Sequence, residues 1–195
     1  MVKPPVLGTG CRGFESPLSE RKLHGGYVMK KFAFSVVLLV IISAFCFAAD
    51  PAEGFWVSWD EKSGKATAGW EIYLIGNKLY GRILSVAGHP QDVKATNCKE
   101  SYKGFNQPGK VNEMTVVGTP WIFDLTSDKP GIWSGGSIID PDGGNMYKCK
   151  MTFRPRDGNK FKTDTLEMRG EIGLGIGRSQ FWQRTDLETA SSLRP

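Results

Sequence analysis

From Gly54 to Arg184 the apolar residues recur in short runs, many of them alternating with polar ones, and turn residues break the runs every few positions. Period-two alternation bounded by Gly, Pro, Asn and Asp is a strand pattern, and no window carries the i, i+3, i+4 stripe of a long amphipathic helix. The runs predict strands at Gly54 to Trp59, Trp70 to Ile75, Leu79 to Val86, Met114 to Val117, Trp121 to Leu125, Gly131 to Ile139, Asn145 to Phe153, Lys160 to Arg169 and Arg178 to Arg184. Gly76-Asn77-Lys78 reads as a compact hairpin turn, and Pro141-Asp142-Gly143-Gly144 and Pro155-Arg156-Asp157-Gly158-Asn159 as further turns. So dense a series of short strands fits an all-β fold, an antiparallel barrel or sandwich of eight to ten strands. Ala87 to Val111 is the exception, a long polar loop of the kind that makes a lid or tethered flap at one mouth of a barrel.

The residues ahead of this pattern are chemically different. Lys30-Lys31, the apolar run from Phe32 to Phe47 and the small residues Ala48-Ala49 form the three parts of a secretory signal. With Met29 as start and cleavage after Ala48, residues 29–48 are the signal peptide and the mature chain begins at Ala49. One alternative is an uncleaved anchor, because the run falls only slightly short of the roughly 20 residues of a membrane span. Another is acylation at Cys46, although Phe45 stands where such signals carry a small residue. Residues 1–28 read as an upstream extension, since Gly13-Phe14-Glu15-Ser16-Pro17 is what the T-arm of a transfer RNA gene would encode if translated. A cytoplasmic tail on an anchored protein is the rival reading.

Removing the leader changes the charge. Of 25 Lys and Arg, six precede Ala49, and of 20 Asp and Glu, two do, which leaves 19 against 18, or +1. A nearly neutral domain without a basic stripe gives no support for nucleic-acid binding. A length of 195 residues with 40% hydrophobic content excludes a large multidomain enzyme, a polytopic membrane protein and a disordered chain. After cleavage no stable membrane span is expected. Two cysteines remain, Cys98 and Cys149. In an exported chain they suggest one disulfide, which the chain-entropy model rates at roughly 4 kcal/mol. The alternative is a free thiol at Cys149, within a strand pattern, and Cys98 in a loop.

Candidate chemistry is sparse. His89 is the one histidine after the leader, and it precedes Pro90 in a loop, so no Ser-His-Asp or Cys-His set arises except through it. Asp60, Glu61, Asp140 and Asp142 sit in turn contexts, and no His, Cys, Asp or Glu cluster has metal-ligand spacing. The glycine-rich run Gly170 to Gly177 lacks the lysine and following helix of a phosphate loop and reads as a hairpin or bulge. A non-catalytic protein without metal or cofactor is expected. The last strand carries more: alternation puts Arg178, Gln180, Trp182 and Arg184 on one face, and Ser179, Phe181 and Gln183 on the other. Turned inward, that face would bind an anionic or polar ligand with Arg169 and Tyr147 as partners. Turned outward, it is a solvated face with Trp182 at an edge. Next to it, Tyr147, Cys149, Met151 and Phe153 form an inward apolar face.

Gly54-Phe55-Trp56 opens the first strand and Trp182-Gln183-Arg184 closes the last, so in a closed meander Trp56 and Arg184 become neighbours and can stack. This resembles the calycin superfamily, which includes the lipocalins and avidins, and the resemblance implies an up-and-down barrel sealed at one end by that pair. Over Gly54 to Arg184 the chain also resembles the bacterial domain-of-unknown-function family 2147. The matching elements are Gly54-Phe55-Trp56, Leu79-Tyr80-Gly81-Arg82-Ile83, Trp133-Ser134-Gly135-Gly136, Asp140-Pro141, Tyr147-Lys148-Cys149, Met168-Arg169-Gly170 and Gly177 to Arg184. That resemblance implies a small exported bacterial protein and carries no settled activity. Residues 94–117 depart from the family, whose members often hold a closer cysteine pair there, and a polar tail spans 185–195. The resulting expectation is a single barrel over residues 49–184, periplasmic or secreted, holding a small amphipathic or anionic ligand. The alternative is an envelope protein with a packed core whose surface contacts a protein partner.

Overall fold

The hairpin expected around Gly76 forms, with Ile75 facing Lys78 across the turn, in a computed structural model that describes residues 49–193 except Leu174. It joins the second and third of eight strands: β1 (Gly54–Trp59), β2 (Ala66–Ile75), β3 (Lys78–Val86), β4 (Ile122–Lys129), β5 (Ile132–Asp140), β6 (Asn145–Arg154), β7 (Thr165–Gly173) and β8 (Ile176–Thr185). Each strand runs antiparallel to the next, and β8 returns to β1 through Trp56 opposite Arg184, so the sheet closes into a barrel. Closure removes both sheet edges and leaves one interior for the inward side chains. The segments read as a signal peptide and an upstream extension lie outside the described residues.

Two expected strands change. Met114 to Val117 makes only isolated bridges, Lys94 with Thr115 and Ile83 with Val117. The edge of β3 is taken by β4, which pairs Gly81 with Ile122, so the preceding run is left to fold within its own loop. Lys160 to Asp164 stays outside β7 because the Asp157 carboxylate accepts from the backbone N–H groups of Asn159 and Phe161, closing an Asx turn there.

The connection from β3 to β4 is long but anchored. Its Phe105 stacks on Trp121 and meets Phe123 edge-on, Trp121 Nε1 donates to the Val116 carbonyl at 2.7 Å, and a 3-10 turn over Val111–Glu113 buries Val111. The polar tail expected after Arg184 contains a short helix instead, α1 (Leu187–Ser191), capped by the Asp186 side chain accepting from Thr189 N. It lies on the outside of β2 and β3, where Ser85 Oγ donates to the Ala190 carbonyl at 2.6 Å. A Cβ at Gly69 would come within 1.8 Å of that carbonyl oxygen, so only glycine lets the helix seat this closely.

Candidate functional site: a cavity at the open end

The two ends of the barrel are built from the same strands with different side chains. At one end Trp56, Trp133, Leu166 and Trp182 are buried and Ala52 fills the remaining space, its carbonyl accepting from Trp56 Nε1 at 3.0 Å. The Arg184 guanidinium lies 4.2 Å from the Trp56 ring centroid, donates to the carbonyls of Glu53 and Pro51, and pairs with Asp164. Burial pulls its pKa down from the ordinary arginine value, against the opposing pull of Asp164. Gly54, at φ 119°, leaves room for this group, since a Cβ there would stand 2.9 Å from Arg184 Nη1. Asp50 completes the seal by accepting from Gly131 N and Trp133 Nε1. The stacking of Trp56 and Arg184 expected from the two chain ends is thus present.

Toward the other end, the inward positions carry Ser58, Ala68, Cys149 and Gly170, too little volume to fill the interior, and a cavity of about 950 Å³ opens to the surface. Its floor is Trp70, backed by the fully buried Trp182, the two rings stacked with centroids 4.6 Å apart. Ile83, Val86 and Ile138 line one wall, joined by Val93 and Val116 from the long loop, which therefore contributes directly to the site. Across from them β8 supplies Gln180 and Arg178, with Tyr147 and Met168 between. Register confirms the inward face of β8: Arg184 pairs with Trp56, Trp182 with Leu166, Gln180 with Met168, and Arg178 with Gly170.

The polar groups at the site are differently committed. Ser58 Oγ is saturated by Thr67, Ala68 and Trp70. Trp182 Nε1 donates to Gln180 Oε1 at 3.1 Å. The Arg178 side chain is 66% exposed and reaches Glu61, in the turn after the neighbouring β1, at 3.2 Å, a solvated pair of low energy. Asp60 and Asp140 accept backbone N–H groups within their turns. His89 lies on the rim beside Lys94 and Asn97.

Of the residues singled out from the sequence, Tyr147, Arg178 and Gln180 meet at this cavity, Trp182 lies fully buried behind its Trp70, and Trp56 and Arg184 seal the opposite end. Arg169 does not join them. It sits on the outer face of β7 opposite Lys150 and Ser179, paired with Glu171 at 2.7 Å and donating to the Gly175 carbonyl. The expected disulfide is also corrected: Cys98 and Cys149 are separate buried thiols. Cys149 points inward from β6 between Gly136 and Gly170, whereas Cys98 lies in the long loop against the carbonyls of Asp140 and Pro141. Burial pushes both thiols above their ordinary pKa, a hydrogen bond with Tyr102 opposing the shift at Cys98. Trp70, Ile83 and Met168 were missed as site residues although alternation already set them on one face of their strands; Val93, in the long loop, carried no such signal, and Val116 was read as part of a strand that does not form.

A closed, eight-stranded, up-and-down antiparallel barrel, sealed at one end and hollow at the other, is the lipocalin-like architecture. Within that class, the chain belongs to the bacterial family described as "uncharacterized protein conserved in bacteria (DUF2147)", which it matches over residues 54–184. Its fold is similar to that of protein HP1028 from the human pathogen Helicobacter pylori, a protein described as belonging to the lipocalin family. The TM-score is 0.55 and the identity 16%, over 72% of this chain and 87% of that one. At that identity the likeness carries the fold alone. No curated protein matches the chain. Among the described residues no helix is long and apolar enough to cross a membrane.

Proposed function

We propose that this protein is an exported, non-catalytic carrier or sensor, acting in the periplasm or after secretion, that holds one small amphipathic anion in its barrel. The observation that carries this reading is the hollow open end, a cavity of about 950 Å³ with an apolar wall, a tryptophan floor and a cationic side chain at the rim. Apolar pockets of several hundred Å³ with a few convergent polar groups are the usual form of small-molecule sites. The apolar part of the ligand lies against Ile83, Ile138 and the tryptophan floor, and its charge faces Arg178. A barrel serving only as a packed protein-interaction scaffold has no use for such a void. Export is supported by the basic, apolar and small-residue segments of residues 29–48.

The test combines two measurements on protein purified from the periplasm. Native mass spectrometry should show a discrete added mass that denaturation removes. Titration of emptied protein with dansyl-undecanoic acid should quench tryptophan emission, because Trp70 lines the cavity and Trp182 stacks directly behind it. A clean unliganded mass together with no response to the probe would transfer the proposal to the envelope-interaction reading.

A further inference from the structure

The hydrogen bond between Trp182 and Gln180 decides more than packing. An indole N–H is a donor only, so the Gln180 atom 3.1 Å from Trp182 Nε1 must be the amide oxygen. The oxygen is thereby tied down against the floor and the amide cannot turn over without losing that bond. Gln180 is an inward residue of β8 that lines the cavity, and among the described residues no protein acceptor takes the N–H groups of its Nε2. Arg178, two residues along the same face, is also a donor, and the Ser58 hydroxyl is already saturated within the protein. The β8 wall therefore presents donors where a freely rotating glutamine would present either polarity.

We propose that Gln180 is the specificity-determining residue of the cavity: locked by Trp182 as a donor, it selects ligands that place a carboxylate or carbonyl oxygen against it and rejects ligands that place an ammonium there. This rests on the carrier reading above and names the chemistry of the ligand's polar end. Trp182 acts as a positioning residue, holding the amide rather than touching the ligand's polar group. The ligand oxygen takes an Nε2–H of Gln180, and Arg178 exchanges Glu61, its exposed partner, for the same anion. A site built to hydrogen-bond one polarity rejects the opposite polarity strongly, because the mismatched groups are left desolvated without partners.

The experiment compares two fluorescent probes of equal chain length, dansyl-undecanoic acid and the matching dansyl-alkylamine, on the full mature protein. Wild type should bind the acid at least about tenfold more tightly than the amine. Gln180→Glu should reverse that preference, and Gln180→Met should weaken the acid by about tenfold without gaining the amine. Gln183→Glu adds the same charge on the outer face of β8 and should leave the ratio unchanged, which separates a local contact from general electrostatics. Trp182→Phe, which keeps the aromatic floor but removes the donor, should reduce the preference several-fold. The ratio is read on one protein sample at a time, so partial misfolding of a variant cancels. Equal binding of both probes by wild type, or the same shift from Gln183→Glu as from Gln180→Glu, would overturn the assignment of Gln180 while leaving the carrier reading intact. Failure of wild type to bind either probe would overturn the assignment of Gln180, and together with a clean unliganded native mass it would overturn the carrier reading as well.

Discussion

The sealed and open ends of the barrel share eight strands, one register and one alternation of inward and outward residues, yet one is solid and the other hollow. The difference lies in side-chain volume. Trp56, Trp133, Phe153 and Trp182 converge at the sealed end, where Ala52 and the Arg184 guanidinium take up what remains. A few residues further along the same strands the inward positions are Ser58, Ala68, Cys149 and Gly170. A closed barrel imposes a fixed diameter, so small residues on several strands at one level cannot be compensated by drawing the strands together. Packing is concentrated at one end and open volume at the other, so the two should be separable by mutation.

Trp182 lies at the boundary, and its removal has the largest expected effect. Fully buried and stacked on Trp70, it should lower stability by about 3–5 kcal/mol when replaced by Ala, joining the cavity to the sealed end. Urea denaturation followed by far-ultraviolet circular dichroism measures this, and a loss below about 1 kcal/mol would show that the boundary is not structural. Arg184→Met tests the seal alone. It removes the stacking on Trp56 and leaves the carbonyls of Pro51 and Glu53 without their donor, at an expected cost of about 2–3 kcal/mol, while binding of dansyl-undecanoic acid by the folded fraction is retained. Equal loss of stability and of intrinsic affinity would mean that the ends are coupled. The smallest stability effect belongs to the open end: Arg178→Ala should stay within about 0.5 kcal/mol of wild type in a thermal melt, because its ion pair is solvated, yet it should weaken the acid probe. A large destabilisation would reassign Arg178 to structure.

The β7 and β8 pair shows how far the candidate site could be read in advance. In β8 the shared face of Arg178, Gln180, Trp182 and Arg184 followed from alternation, and the fold turns that face inward. In β7 the same rule was available, since Leu166 and Met168 alternate with Glu167, Arg169 and Glu171, and applying it would have placed Arg169 outside, where it pairs with Glu171. The cysteines are a different matter. Their number and the expectation of export suggested a bridge, but whether two side chains meet depends on where a long loop lies against the barrel, which no local pattern encodes. The tail after Arg184 was read only as polar; its short helix is capped by Asp186, and its docking site depends on Gly69, more than a hundred residues earlier in the chain.

Most strand and turn positions, the division of those strands into two faces and the meeting of Trp56 with Arg184 were determined by the sequence itself, although Met114 to Val117 and Lys160 to Asp164 did not join the barrel. These follow from local backbone preference and from the two termini of a closed meander being neighbours. Only the tertiary structure decided which face turns inward, where bulges such as that between Gly69 and Trp70 shift the register, and how the long loop reaches the cavity. It also decided that the interior is full at one end and empty at the other. Those outcomes depend on volumes and contacts summed across all eight strands and the loop at once, a collective quantity to which each residue contributes and which no single stretch of chain contains.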